Sequence, residues 1–311
     1  MKTLNTVEEV RAWRKQNDVR NESVGFVPTM GCLHAGHASL VERSVRDNKF
    51  TVVSIFVNPS QFAPSEDLDQ YPRTLENDKQ LLESLGVDAF FVPQAQDIYP
   101  RGIPLDVSKQ AGPFISVLGL SEKLEGKTRP NFFRGVATVV GKLFNIVQPT
   151  RAYFGQKDYQ QFVVLQTMVK ELFFDIELVM MPIKRSDTGL ALSSRNKYLS
   201  AESVAIASNI YKGLETGREV IQKGKQSPNS GDIITRDVVI NAIQEVWEPF
   251  YKTKDFKLDY VSIADAETLN EVETLSGCKA NLVISCAVYV TDRVDSSVTV
   301  RLIDNVLVPA Q

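Results

Sequence analysis

Short, almost unbroken apolar runs recur through the first part of the chain, at residues 24–27, 51–57, 87–92, 152–154 and 176–181, each rich in Val, Ile or Phe and bounded by turn-forming residues. Runs of that length and composition predict strands buried on both faces. Between them lie segments of helical length, 37–47, 75–85, 134–147 and 159–173. In the last of these Phe162, Leu165, Met168 or Val169, and Leu172 recur at spacings of three and four, which predicts one buried face at helical period. Strands alternating with helices demand right-handed crossovers, so the expected architecture is α/β, a doubly wound, mainly parallel sheet.

The pattern changes near residue 182. Helix-length segments at 201–223 and 233–247 flank the stretch GKQSPNSGD (224–232), whose Gly, Pro, Ser and Asn content predicts a loop. Three strand-like runs follow, 260–264, 280–289 and 297–302, with connections poor in helix. Such a succession predicts an antiparallel sheet. Two domains are therefore expected, a larger α/β domain over 1–185 and a smaller α+β domain over 186–311. That suits a chain of 311 residues, since a single domain usually takes about 150.

Hydrophobic residues make up 43% and charged residues 23%, which removes disordered, collagenous and coiled-coil chains from consideration. With 35 Lys and Arg against 38 Asp and Glu, the formal charge of -3 offers no electrostatic footprint for a nucleic acid. No run of about 18 apolar residues is present to span a membrane. The amino-terminal segment, with Glu8 and Glu9 and no apolar core, reads as neither a signal nor a transit peptide. Cys32, Cys278 and Cys286 are widely spaced and form neither a disulfide framework nor a Cys-x-x-Cys pair, so a reducing, cytoplasmic setting is expected.

Candidate chemistry gathers at the turns that follow strands. The only two histidines, His34 and His37, stand in PTMGCLHAGHASL, after the first run and at the start of the first helix. Phosphates bind at such turns because backbone N–H groups and the positive end of the helix dipole point into one crevice. Gly31 and Gly36 would let a nucleotide come close, and imidazoles three residues apart face the same way, ready to donate to developing phosphoryl charge. Cys32, His34 and His37 also read as part of a zinc site that would need a distant carboxylate.

Three further segments join them. In SIFVNPSQF (54–62) a strand ends in Asn58, Pro59 and Gln61, uncharged groups suited to the hydroxyls and carboxylate of a small polar substrate, although Asn-Pro equally makes a plain surface turn. In YFGQKDYQQF (153–162) Lys157 can neutralise a phosphate, Asp158 can cap the helix, and Gln161 lies one helical turn beyond Lys157. In GLALSSRNKYL (189–199) Ser193, Ser194 and Arg195 offer two hydroxyls and a guanidinium in succession, which suits a triphosphate or, more plainly, a helix start. Its place at the expected domain junction favours a mobile flap.

Taken in order, PTMGCLHAGH, SIFVNPSQF, EDLDQYPRT, LEGKTRPNFFRGV, FGQKDYQQF and GLALSSRN resemble the pantothenate synthetase (pantoate–β-alanine ligase) family, within the nucleotidyltransferase superfamily that carries a His-x-Gly-His motif. The likeness is dense over residues 24–199 and weaker beyond. It implies a Rossmann-like first domain and a second domain acting as a lid. It also implies an ATP-dependent ligase that activates pantoate as pantoyl adenylate, releases diphosphate, and joins the acyl group to β-alanine, giving pantothenate and AMP. By this resemblance ATP falls to Met30, Gly31, Cys32, Leu33, His34, Ala35, Gly36 and His37, to Gly155, Gln156, Lys157 and Asp158, to the backbone of Lys184, and to Leu192, Ser193, Ser194 and Arg195. The implied catalytic set is His34, His37, Lys157 and Arg195, with His37 as proton donor, while Asn58, Gln61 and Gln161 fall to pantoate. Mg2+ is implied with the nucleotide, near Asp78, and a homodimer is implied with the 51–57 region as its interface.

Two departures stand out. Gln156 occupies a position that many relatives fill with an acidic residue, and Lys184 one that often reads Val in Ile-Val-Arg. Both leave a backbone role intact. Two other readings of the same residues are a nucleotidyltransferase that keeps the nucleotide on its product, which has no need of Gln61 and Gln161, and a zinc hydrolase built on Cys32, His34 and His37.

Overall fold

The structure is a computed structural model that describes residues 1–17, 21–64, 66, 68–69, 71–226 and 233–310, for 225 and 226 the backbone alone. Two compact units are present, Met1–Pro182 and Ile183–Gln311.

In chain order the first unit runs β1 (Lys2–Leu4), α1 (Val7–Gln16), β2 (Val24–Thr29), α2 (Ala35–Asp47), β3 (Phe50–Ile55), α3 (Leu75–Ser84), β4 (Ala89–Phe91), α4 (Ala95–Ile98), α5 (Glu125–Thr128), α6 (Phe132–Val147), β5 (Arg151–Gly155), α7 (Tyr159–Glu171) and β6 (Glu177–Met181). Its six strands form one parallel sheet in the order β1-β4-β3-β2-β5-β6. Side chains alternate across it. Phe26, Val52, Phe91 and Phe154 pack on one face with Trp13 of α1, Phe144 of α6 and Leu165 of α7. Val27, Val53, Phe90 and Tyr153 pack on the other with Leu40 of α2 and Leu82 of α3. Burial on both faces is why the strands read as continuous apolar runs.

β2 and β5 are neighbours in the sheet, and strand order reverses between them. Chain leaving β2 turns back over one face and chain leaving β5 over the other, so their carboxyl ends open a crevice at this switch point.

Two expectations need correction here, and two elements escaped the pattern. β3 lies between β2 and β4, paired on both edges and buried through most of its length, so the 51–57 region is not available as a dimer interface. Leu172 is 52% exposed because α7 ends at Glu171 and Leu172 is its C-cap; the buried face stops at Val169. β1 and α1 carried no signal in the apolar pattern, since β1 is three residues long and α1 buries only Val10 and Trp13 among charged neighbours.

The second unit holds α8 (Ala201–Ala207), α9 (Asn209–Gln226), α10 (Arg236–Lys252), β7 (Phe256–Asp265), β8 (Leu282–Thr291) and β9 (Thr299–Val308), the strands forming an antiparallel sheet in chain order. The single helix expected over 201–223 is broken at Ser208. The break leaves the Asn209 carbonyl to accept Nε1–H of Trp247 at 2.8 Å, and a Cβ on Gly213 would meet that indole at 2.3 Å, so α9 and α10 approach closely. Residues 224–226 complete α9; positions 227–232 of the expected loop lie outside the described residues.

Candidate active site

The turn between β2 and α2 is held from within. Gly31 and Cys32 both adopt left-handed backbone, at φ 85° and 53°. For a non-glycine residue that costs about 1–2 kcal/mol, so something must hold it. Asp78 of α3 does so. Its Oδ2 accepts the Cys32 N–H at 2.9 Å, its Oδ1 accepts the Leu33 N–H at 2.8 Å, and the Thr74 hydroxyl donates to both oxygens at 3.1 Å. Asp78 is 3% exposed, so its carboxylate is a buried bracket for the turn rather than a group open to a metal ion.

The histidines continue the pattern. Nδ1 of His34, the N-cap of α2, accepts the Gly36 N–H at 3.1 Å, while Nδ1 of His37 accepts the His34 N–H at 3.4 Å. The rings lie 4.2 Å apart between centroids. Several amides that the sequence offers to a phosphate are therefore already taken. With Nδ1 an acceptor in both rings, the neutral tautomer of each carries its proton on Nε2. Burial, then the neighbouring His34 and Lys157, pushes the His37 pKa from its ordinary 6.5 down to about 3. At neutral pH His37 is an uncharged N–H donor, not the imidazolium that a proton donor would require.

A second network follows β3. Asn58 is 1% exposed and sits at the hub of it. Its Nδ2 donates to Oε1 of Gln61 at 3.0 Å and to the Gly135 carbonyl at 3.2 Å, while its Oδ1 accepts the hydroxyls of Tyr99 at 2.8 Å and Ser60 at 3.0 Å. Gln61 in turn points Nε2 at the Met30 sulfur, 3.1 Å away, which joins this turn to the one after β2. Gly135 permits the approach of α6, because a Cβ there would stand 2.4 Å from the Ser60 carbonyl oxygen. Buried and fully engaged, Asn58 orients Gln61 and does not itself face a substrate. Tyr99 and Ser60 belong to the same machinery; Ser60 stands within SIFVNPSQF beside Gln61, whereas no local motif announced Tyr99.

The turn after β5 is formed by Gly155 and the single 3-10 turn Gln156–Asp158 that leads into α7. Nothing lies within 4 Å of a Cβ built on Gly155, so the strand end is open there. Lys157 stands 3.8 Å from Asp158 and close enough to His37 to depress it. The adjacent glutamines Gln160 and Gln161 of α7 part company. Gln161 is half-buried, whereas buried Gln160 donates to the carbonyls of Leu120 at 2.9 Å and Lys123 at 2.8 Å and accepts the Glu125 N–H at 3.0 Å, pinning residues 120–125.

In the second unit Lys184 and Leu192 close a short hairpin, the Lys184 carbonyl accepting the Leu192 N–H at 2.9 Å. Arg185 braces it by a bidentate pair with Asp304 at 2.6 and 2.9 Å, over the ring of Tyr211. Ser193 then caps the 3-10 turn Ser194–Tyr198, its hydroxyl accepting the Arg195 N–H at 3.3 Å. The Lys184 side chain is exposed, while Ser193, Ser194 and Arg195 are half-buried.

Among the described residues no group of three or more His, Cys, Asp or Glu side chains is arranged to hold a metal ion. Cys32 is wholly buried beneath its turn and does not join the two imidazoles in a zinc site.

The family model of pantoate-beta-alanine ligase matches residues 2–307. Among similar proteins, the pantoate–beta-alanine ligase of Saccharomyces cerevisiae is 59% identical over 313 aligned positions, covering 99% of this chain and 100% of its own. The pantothenate synthetase of Fervidobacterium nodosum is 42% identical, covering 99% of each chain. The crystal structure of pantothenate synthetase from Thermus thermophilus superposes with a TM-score of 0.83 at 41% identity, over 99% of this chain and 100% of that one. That of the Francisella tularensis pantoate-beta-alanine ligase, complexed with beta-gamma ATP and beta-alanine, gives 0.72 at 33% identity, over 99% and 97%. These likenesses favour neither a nucleotidyltransferase that retains its nucleotide nor a zinc hydrolase, and they agree with the crevice at the β2/β5 switch point: the chain belongs to the pantoate–beta-alanine ligase family.

Proposed function

We propose that the crevice is an adenylate-forming centre in which the residues of the first unit act from the positions described above, those of the second joining them by family resemblance. The protein is an ATP-using ligase that condenses pantoate with β-alanine to give pantothenate. In the first step a pantoate carboxylate oxygen attacks the α-phosphorus of ATP, and the bond from that phosphorus to the bridging oxygen breaks to release diphosphate. In the second the β-alanine amine attacks the acyl carbon, gives up a proton, and AMP leaves with the electron pair of the acyl C–O bond. The task of the protein is alignment, stabilisation of charge on the leaving oxygens and exclusion of water.

The observation that carries this reading is the His34–His37 pair, whose Nδ1 atoms are both engaged by backbone, which turns Nε2 of each ring outward, with His37 beside Lys157. His37, held neutral, meets phosphoryl charge as it grows without taking part in proton transfer. Lys157 and Arg195 supply positive charge, with Ser193 and Ser194 as hydroxyl donors to the phosphates and Met30 to His37, Gly155 to Asp158, the Lys184 backbone and Leu192 completing the nucleotide's surroundings. Gln61 and Gln161 bind pantoate, and Asn58 holds Gln61 in place. The lid role of the second unit rests on the family resemblance alone.

Mg2+, when bound, would enter as the nucleotide's own counter-ion and neutralise phosphate charge. Asp78 does not fit as a ligand, because both its oxygens are occupied by Cys32, Leu33 and Thr74. A homodimer is proposed from the resemblance to the family. A cytoplasmic setting is proposed because none of the three cysteines forms a disulfide.

The reaction is tested by incubating the protein with ATP, pantoate and β-alanine, omitting each in turn. Pantothenate and AMP should appear together and only with all three. ADP in place of AMP, or adenylated pantoate as the final product, would overturn the reading.

A further inference from the structure

Two turns along α6 from the Gly135 contact with Ser60, and on the same face as Lys142, a cavity of about 420 Å³ lies between the start of α1, the turn after α4 and the segment before residue 115. That volume is in the range of small-molecule sites. Val7, Phe114, Ile146 and the ring of Tyr99 give it apolar walls, and Arg101 and Lys142 bring its positive charges. Lys142 is half-buried; its Nζ donates to the Ile98 carbonyl at 2.8 Å and stands 4.0 Å above the centre of the Tyr99 ring. No carboxylate is paired with it among the described residues. Asp97, the acidic residue on the wall, is engaged by the Gln94 N–H at 2.8 Å. Burial alone lowers the Lys142 pKa, the signature of an ammonium that lacks its counter-charge.

We propose that this cavity is a second ligand site, which takes a small organic carboxylate with a compact apolar body on Lys142 and is coupled through Tyr99 to the pantoate pocket. A carboxylate supplies the missing counter-charge in a partly desolvated setting, where charge-assisted hydrogen bonds are strongest. The coupling follows from the ring that Lys142 covers. The Tyr99 hydroxyl reaches Oδ1 of Asn58 and Oγ of Ser60, each at 2.8 Å, and Asn58 holds Gln61. A ligand that draws Lys142 off the Ile98 carbonyl loosens the end of α4 and the tyrosine with it, and so weakens pantoate. This kinetic consequence rests on the assignment of Gln61 to pantoate; the binding itself does not.

The probe is benzoate, with benzamide as the uncharged control, measured by saturation-transfer NMR and by steady-state kinetics on the wild-type protein, Lys142→Met and Lys142→Arg. Benzoate, and not benzamide, should bind wild type and Lys142→Arg, with affinity about tenfold lower in Lys142→Met, the loss of one charged contact. It should raise KM for pantoate and leave KM for ATP unchanged in the first two proteins, with no effect in Lys142→Met. Retention of the charge in Lys142→Arg separates loss of the site from a folding defect. The proposal is overturned if benzoate fails to bind, binds Lys142→Met as tightly, raises the pantoate KM equally in that variant, or binds without altering it. Failure of the binding arm leaves the reading of the catalytic site untouched, whereas failure of the omission assay leaves the binding arm intact.

Discussion

Oδ2 of Asp78 accepts the backbone N–H of Cys32 at 2.9 Å, across 46 positions of sequence, and with that contact α3 fixes the turn on which both histidines stand. A residue that resemblance sets beside the metal thus acts on the protein's own backbone.

Asp78→Asn tests which role is right. The amide can serve only one of the two N–H groups and leaves the other facing an NH2, a buried mismatch of about 1–3 kcal/mol. We expect stability to fall by that amount and the rate at saturating ATP to fall with it, while the Mg2+ concentration that gives half-maximal rate stays unchanged. A large rise in that Mg2+ requirement, at unaltered stability, would make Asp78 a metal ligand.

Tyr99→Phe removes one donor to Asn58 and leaves the ring in place. Burial pushes the Tyr99 pKa up to about 12, so the hydroxyl keeps its proton throughout the working range. A neutral hydrogen bond of about 0.5–1.5 kcal/mol corresponds to a KM for pantoate raised by about two- to tenfold. KM for ATP should not move. Equal changes in both constants would show that Tyr99 does not act through Gln61.

His37 makes stability depend on pH in a defined window. Its folded pKa is about 3 against an ordinary 6.5. Between those values the unfolded chain binds a proton that the folded protein refuses, so stability rises with pH there and is lost as pH falls from about 6.5 toward 3. In His37→Gln this part of the slope is absent. Urea denaturation at pH 7 and pH 5 should show the variant losing less stability than wild type over that interval; identical losses would mean that His37 protonates normally in the folded state.

Gln161→Ala and Lys157→Ala should separate the two pockets. An uncharged contact to pantoate, worth about 1–3 kcal/mol, gives roughly a tenfold to hundredfold loss in pantoate use with ATP affinity little altered. Loss of Lys157 should instead depress the chemical step at saturating substrates, on a scale of about 2.7–4 kcal/mol. Steady-state constants for each substrate distinguish them, and a Gln161→Ala protein whose ATP affinity fell as far as its pantoate affinity would contradict the division.

The parallel sheet was legible because strands such as β3 bury both faces, so Val52 and Val53 both had to be apolar. α1 was not, because only Val10 and Trp13 of its ten residues are buried. At the site, the motif residues His34, His37, Gln61 and Lys157 stood out by type and by their place after strands. Their supports did not. Tyr99 meets Asn58 from 41 positions away, a distance at which no local spacing carries information. Gln160 and Gln161 are adjacent and chemically identical; only the phase of α7 against the rest of the fold decides that the first braces a loop and the second is left half-buried.

In the proposed mechanism pantoate is activated on this site before β-alanine acts. The most direct measurement is exchange of labelled diphosphate into ATP with pantoate present and β-alanine left out, in wild type and in Lys157→Ala. Exchange in wild type should depend on pantoate and be strongly reduced in the variant. Exchange that appears only after β-alanine is added would contradict the mechanism.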